Sequence, residues 1–210
     1  MTRTITRLYD DYSDAQAAVS ALESHGVPHD DISIVANDAD GRHQAGDHIH
    51  DGVNDHGDVS RGTSTGAVLG GAGGLLAGLG LLAIPGLGPI VAAGWLAATA
   101  AGAGIGAAGG AATGGIVGAL KHAGHSEEDA NVYSEGVRRG GTLVSVRTDD
   151  TAPGQVESIL DTYRSVNATE RGAAYRAQGW NAFDPSAPDY TRNEVERDRA
   201  SHSTSRDRVI

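Results

Sequence analysis

Residues 4–27, TITRLYDDYSDAQAAVSALESHGV, and residues 142–166, TLVSVRTDDTAPGQVESILDTYRSV, follow the same plan. Each begins with alternating apolar and polar residues, passes through two adjacent aspartates, and continues into a stretch with apolar residues at helical spacing. A pattern that occurs twice indicates an internal duplication. The sequence therefore predicts two related β-α-β halves, one toward each end of the chain.

The first half predicts a strand at residues 3–9 and a second strand at residues 31–37. Ser13, with Gln16 three residues later, forms a capping box that starts the intervening helix. Gly26 ends that helix as the glycine that follows the last turn. The apolar face of the helix is expected to consist of Ala15, Ala18, Val19 and Leu22.

The second half predicts a strand at residues 140–150, followed by a helix. The apolar face of this helix is expected to consist of Val156, Ile159, Leu160 and Tyr163. A further helix is expected at residues 127–139, capped by Ser126, and a short fourth strand at ATERGAAY, residues 168–175. Four antiparallel strands with two helices on one face form the ferredoxin-like arrangement, an α+β fold.

Composition excludes several classes of function. The chain has 210 residues, a formal net charge of −11, 4% aromatic residues and no cysteine. The negative charge argues against a nucleic-acid-binding protein, and the lack of cysteine excludes disulfides and thiolate metal sites. The N-terminal MTRTITRLYDDYSD has no apolar segment typical of a signal peptide, so we expect a chain that starts in the cytoplasm.

Charge divides the chain into five expected segments. These are a first β-α-β half at 1–37, an acidic His/Asp-rich linker at 38–61, an uncharged Gly/Ala-rich block at 62–120, a helix plus the second half at 121–180, and an extended arm with a disordered tail at 181–210. Trp180, Phe183 and Tyr190 are spaced along the arm as side chains that dock on the sheet or on a partner. The tail is rich in charge, Ser and Thr, which is typical of disorder.

Glycines recur every fourth residue on both sides of the turn IPGLGP, residues 84–89. Positions four apart share a face of a helix, and faces without side chains allow two backbones to approach closely. The block therefore predicts a helical hairpin, with helices near 64–84 and 89–120. The glycines expected at the oligomer or membrane interface are Gly66, Gly70, Gly74, Gly78, Gly102, Gly106, Gly110, Gly114 and Gly118.

Such a hairpin needs a partner, because each glycine in a helix interior costs about 1 kcal/mol relative to alanine. A membrane would supply one, since it forces a backbone to satisfy its own hydrogen bonds. Arg61 and Lys121 flank the block, which favours a cytoplasmic-membrane hairpin with both termini in the cytoplasm. The alternative is a cytoplasmic homo-oligomer or filament whose hairpins pack against one another, because Gly and Ala are only weakly apolar.

The remaining chemical candidates are weak. His48, His50 and His56 lie among aspartates and form a candidate metal site, although a polar tether explains the same composition. The paired aspartates fit helix N-termini. Arg138–Arg139 fits either an anion or lipid-headgroup site or the last turn of a helix. We identify no catalytic constellation, no cofactor motif and no nucleic-acid partner, and a small-molecule ligand is unknown.

Three stretches together resemble bacterial general stress proteins with a 17M-like, heat-induced stress protein N-terminal domain. They are TITRLYDDYSDAQAAVSALESHGVPHDDISIVAND, the Gly/Ala block with IPGLGP, and HSEEDANVYSEGVRRGGTLVSVRTDD. The resemblance covers about residues 3–180 and is most specific in EEDANVYSEGVRRGGTLVSV. It implies a stress-induced, non-enzymatic protein, and it carries over no catalytic residues.

Overall fold

A five-stranded antiparallel sheet forms the centre of the computed structural model, which describes residues 2–38, 80–84, 87–105, 115–149 and 153–206. The strands lie in the order β1-β5-β2-β4-β3. Their bounds are β1 Thr2–Tyr9, β2 Ile32–Asn37, β3 Gly80–Ile84, β4 Gly88–Gly94 and β5 Thr142–Asp149.

Seven α-helices connect and cover these strands within the described ranges. Their bounds are α1 Tyr12–Ser24, α2 Trp95–Ile105, α3 Gly115–His122, α4 Glu127–Arg138, α5 Pro153–Thr162, α6 Ala168–Ala177 and α7 Arg192–Arg206. A short 3-10 turn, His29–Asp31, precedes β2.

The strands and helices expected from the duplication are present as β1, α1, β2, β5 and α5. Helices α1 and α5 pack on the same face of the sheet, where they bury alternate strand residues such as Ile5, Ile34 and Val144. The remaining members of this cluster are Tyr9, Ala15, Ala18, Val19, Leu22, Ile32, Ala93, Val146, Val156 and Leu160. The predicted apolar stripe of α1 is therefore confirmed.

The start of α1 differs from the expected capping box. The helix begins at Tyr12 with Asp11 as its N-cap, so Ser13 and Gln16 lie inside it rather than across its first turn. The Asp11 carboxylate stands at the positive end of the helix dipole, which is the structural role expected for the paired aspartates. At the other end, Gly26 has a φ of +84°, which confirms the glycine stop.

The opposite face of the sheet is also covered, by α2, α3, α4 and α6. Leu8, Val35 and Leu143, which alternate with the residues of the first face, are buried there. The helices contribute Leu96, Ala97, Ala100, Ile116, Ala119, Leu120, Ala130, Val132, Tyr133, Val137, Ala168 and Tyr175. The structure is therefore a three-layer mixed α/β arrangement. We expected helices on one face only.

The expected fourth strand at residues 168–175 is wrong, because this segment forms helix α6. Its N-cap, Asn167, accepts a hydrogen bond from Glu170 N at 2.9 Å through its side chain, which starts a helix at this point. Just before this segment, Val166 forms a single bridge to β1, through reciprocal backbone bonds of 3.0 and 2.8 Å with Leu8. The described chain therefore does not complete the ferredoxin-like sheet.

The helical hairpin expected around IPGLGP is also wrong where the structure describes it. Residues 80–84 and 88–94 form a β-hairpin, β3–β4, that extends the sheet beyond β2. Pro89 fits the start of β4, since a proline is tolerated at the first residues of a strand. The apolar residues of this segment gain backbone partners by joining an existing sheet edge.

Helices follow this hairpin, with Gly102 in α2 and Gly118 in α3, and α2 packs against α3. The other glycines of the expected register, Gly66, Gly70, Gly74, Gly78, Gly106, Gly110 and Gly114, lie outside the described residues. Within the described part of the chain, each helix is too short or too polar to span a bilayer.

The C-terminal region forms helix α7 over Arg192–Arg206, in contrast to the expected disordered tail. The ring of Trp180 packs edge-on against Tyr175, with centroids 5.7 Å apart, so the arm docks on helix α6 of its own chain. Val195 of α7 is 1% exposed and packs directly on Gly140. A Cβ at Gly140, whose φ is +99°, would lie 2.2 Å from Val195 Cγ1, so this contact requires glycine.

We predict that Gly94→Ala destabilises the protein more than Gly26→Ala does. Both glycines have positive φ, but a Cβ at Gly94 would lie 2.2 Å from Ile32 O, whereas a Cβ at Gly26 meets nothing within 4 Å. Gly26→Ala should cost about 1 kcal/mol for the left-handed backbone. Gly94→Ala should cost about 2–4 kcal/mol, since overpacking is added.

Urea unfolding of both variants measures this difference. Equal losses in the free energy of unfolding would contradict the close packing of β4 against β2.

Candidate functional site

The metal ligands and most of the interface glycines proposed from sequence lie outside the described residues. His48, His50 and His56 fall in the range 39–79. Among the residues that the structure does describe, no group of three or more His, Asp or Glu side chains stands close enough to hold a metal ion. The site that the structure brings together at the edge of β1 was not predicted from the sequence.

The outer edge of β1 is open over part of its length. The bond pair between Leu8 and Val166 shows that even-numbered residues of β1 direct their backbone N–H and C=O away from β5. Thr4 and Thr6 share this orientation. Val166 is followed at once by Asn167 and helix α6, so the chain leaves the edge after one bridge. In the described part of the chain, the outward backbone groups of Thr4 have no strand beside them.

A groove of about 550 Å³ runs along this edge. Its walls are β1, the loop between α3 and α4, and the N-terminus of α6. Side chains that line it include Thr4, Thr6, His125, Asp129, Tyr133 and Thr169. We call this feature the β1 groove.

Tyr133 closes the inner end of the β1 groove. Its hydroxyl donates a 2.8 Å hydrogen bond to Thr6 O and accepts a 3.2 Å bond from Ala168 N. Burial raises the pKa of Tyr133 to about 12, so the hydroxyl keeps its proton and remains a donor. A side chain from α4 thus replaces the backbone partner that a fourth strand would have given to Thr6 O.

His125 lies beside this tyrosine. Its Nε2 is 2.8 Å from Thr6 Oγ1, which is in turn 3.0 Å from Ser145 Oγ. The rings of His125 and Tyr133 meet edge-on with centroids 5.9 Å apart. Burial lowers the pKa of His125 even though Asp129 acts in the opposite direction, so the imidazole is neutral at pH 7.

A hydroxyl next to a neutral imidazole resembles the nucleophile–base pair of acyl-transfer enzymes. Thr6, however, is only 1% exposed, and its hydroxyl is held between His125 and Ser145. A substrate carbonyl has no access to it. The polar groups that line the β1 groove therefore suit binding rather than covalent catalysis.

Arg3 and Arg7, the two arginines of β1, are both held in ion pairs. Arg7 Nε is 2.7 Å from Asp161, and Arg3 is 3.5 Å from Glu157. The carboxylates of Asp129, which lines the groove, and Glu170, which follows Thr169, form no ion pair within the described ranges. The uncompensated charge at the groove is thus negative.

The Arg138–Arg139 pair forms a structural cluster, neither an open anion site nor a simple cap of helix carbonyls. Glu135, 1% exposed, accepts from Arg138 at 3.1 Å and from Arg139 at 2.7 Å. The Arg139 guanidinium stacks 4.2 Å from the Tyr175 ring, and that of Arg138 lies 4.9 Å from the Tyr190 ring. These contacts attach the C-terminal arm to α4 and α6.

The sequence contained a weak signal for the β1 groove. The segment expected to form the fourth strand, ATERGAAY, contains neither Val nor Ile, and its loss from the sheet is what leaves the edge of β1 open. No sequence motif marks His125 and Tyr133, because their roles depend on the distance between α4 and β1. Gly136 sets this distance, since a Cβ there would lie 2.5 Å from Leu8 Cδ2.

Comparison with known proteins gives one family. Residues 4–84 match the model of the heat induced stress protein YflT domain. This range contains β1 from Thr4 onward, α1, β2 and β3. The EEDANVYSEGVRRGGTLVSV stretch, residues 127–146, lies beyond it. No curated protein and no solved structure matches the chain.

We predict that protonation of His125 destabilises the fold. Because its folded pKa is lowered, the unfolded chain binds the proton more readily. The stability that neutral His125 provides is complete above the ordinary pKa of 6.5 and is lost as the pH falls below it. Urea unfolding from pH 7.5 to pH 5.5 should show a steeper loss for the wild type than for His125→Gln.

The matched control is His122→Gln, which makes the same exchange at an exposed histidine three residues earlier. Identical slopes for wild type and His125→Gln would contradict the buried neutral imidazole.

Proposed function

We propose, from the match of residues 4–84 to the model of the heat induced stress protein YflT domain, that the protein is a non-enzymatic component of the stress response that assembles with further copies of itself. The family supports the stress-response role. Assembly is inferred from the Gly/Ala-rich block, residues 62–120, and from strand β3, which lies within that block.

The observation that carries this proposal is the position of β3. It is the outermost strand at the end of the sheet opposite β1. Asp38 N donates to Pro89 O at 2.8 Å, so odd-numbered residues of β4 face β2 and even-numbered ones face β3. The register pairs Leu82 with Ile90, which leaves the backbone groups of Leu81 and Ala83 directed outward.

An apolar edge strand is a template for pairing with another chain. Strand β3 has the sequence GLLAI, and among the described residues only β4 pairs with it. In the sequence, the glycines from Gly66 to Gly78 come immediately before it. Glycine faces allow close contact between backbones, so the same block supplies both an edge and small-residue surfaces for assembly.

Insertion of residues 62–120 into the cytoplasmic membrane is the competing proposal. Its support is the absence of charge across the whole block. A helical hairpin would need helix at residues 80–84 and 88–94, where the described chain forms strands. We therefore favour assembly between copies, as an oligomer or scaffold.

The assembly proposal predicts that the full chain is larger than a monomer in light scattering coupled to size-exclusion chromatography. Gly106→Leu with Gly110→Leu should reduce the oligomer mass, because the large side chains separate the glycine faces. Ala107→Leu with Ala111→Leu, which places the same leucine side chains outside the four-residue register, is the matched control and should keep the wild-type mass.

Ala83→Pro tests the edge of β3 separately, since it removes an outward N–H without removing a bond to β4. A monomeric wild type, or equal masses for all variants, would contradict assembly. Recovery of the wild type in a membrane pellet that resists alkaline carbonate would favour the competing proposal instead.

A further inference from the structure

We propose that the β1 groove binds an extended, basic segment of a partner protein, which joins the sheet as an antiparallel strand beside β1. This inference goes beyond self-assembly, because it concerns the opposite edge of the sheet and a different partner.

The Leu8–Val166 bridge defines where such a strand would lie. It is antiparallel and has two backbone bonds, so it fixes the direction and spacing of the next chain beside β1. The described chain departs from this line at Asn167, and the groove continues along it past Thr6 and Thr4. An incoming strand that follows the line pairs with Thr4 through both N–H and C=O.

The bonding groups along this line favour a peptide backbone over other ligands. Thr4 presents a donor and an acceptor outward, and a second outward N–H belongs to Thr6, whose carbonyl is taken by Tyr133. Alternating donors and acceptors at strand spacing are the complement of an extended polypeptide. Thr4, Thr169 and neutral His125 in the groove carry no charge that would exclude one. Arg3 and Arg7 also line the groove, and both are held in ion pairs.

The charge at the groove favours a basic segment. Arg3 and Arg7 are held by Glu157 and Asp161, whereas Asp129 and Glu170 have no ion-pair partner within the described ranges. A Lys or Arg on the incoming strand would compensate Asp129 at the groove wall. The same carboxylate, with Glu127 and Glu128 in the first turn of α4, disfavours a small anion at this helix N-terminus.

A second copy of β1 is a poorer occupant than a separate basic segment. In the antiparallel register centred on Ile5, Arg3 of one copy would stand opposite Arg7 of the other. Like charges directly opposite one another destabilise a strand pair.

The experiment uses the full chain and a labelled, acetylated and amidated peptide, Thr-Val-Thr-Lys-Thr-Val-Thr, with fluorescence polarisation as the readout. Its single Lys can face Asp129 without placing two cations opposite Arg3 and Arg7. We expect saturable binding to the wild type. A version of the peptide methylated on alternate backbone nitrogens should not bind, because it cannot donate hydrogen bonds to the strand edge. A version with Glu in place of Lys should bind more weakly.

Two protein variants locate the site. Asp129→Asn should weaken binding about two- to fivefold, as expected for one exposed ion pair. Glu128→Gln is its matched control, since it neutralises another acid of the same helical turn, which pairs with Arg176 away from the groove, and it should leave the affinity unchanged. Thr4→Pro removes the outward N–H and should abolish binding.

The proposal is overturned if the unmodified peptide does not bind, or if the methylated and Glu-containing peptides bind as well as the Lys peptide does. It is also overturned if Thr4→Pro converts an oligomer into a monomer, because the occupant would then be a second copy. Should Thr4→Pro fail to fold, the methylated peptide tests the same hydrogen bonds on the wild type. The Gly106→Leu, Gly110→Leu variant should bind normally, so failure of assembly and failure of this inference are distinguishable.

Discussion

The position of β5 between β1 and β2 is the constraint on which the rest of the structure depends. Leu143 and Val144 face opposite sides of the sheet and both are fully buried, so each side of this strand must be covered. The duplicated helices cover one side. The long segment between β2 and β5 supplies helices α2, α3 and α4, which together with α6 cover the other.

That long segment determines both edges of the sheet. Its hairpin extends the sheet beyond β2 and makes β3 the outer strand at one end. Its last helix, α4, approaches β1 closely at Gly136 and brings Tyr133 and His125 to the other end. One edge is therefore an apolar strand within the family-matched range, and the other is a polar groove with uncompensated negative charge.

The C-terminal arm stabilises this arrangement from outside the sheet. Glu135 is buried between two guanidinium groups, and these groups in turn contact Tyr175 and Tyr190. A buried carboxylate of this kind is tolerated only with such partners. The RRGG sequence therefore has a structural explanation: its arginines hold the arm, and Gly140 gives room to Val195.

Local pattern in the sequence was sufficient for the strands at residues 3–9 and 31–37 and for the helix capped by Ser126, since alternation, helical spacing and capping are properties of neighbouring residues. It was insufficient for β3–β4, α6 and α7. Glycine, alanine and leucine in the block have no decisive local preference, and the available edge of β2 made residues 80–84 and 88–94 strands. The β1 groove belongs to the tertiary structure as well, because it arises where α6 leaves β1 and α4 approaches it, across more than a hundred residues of sequence.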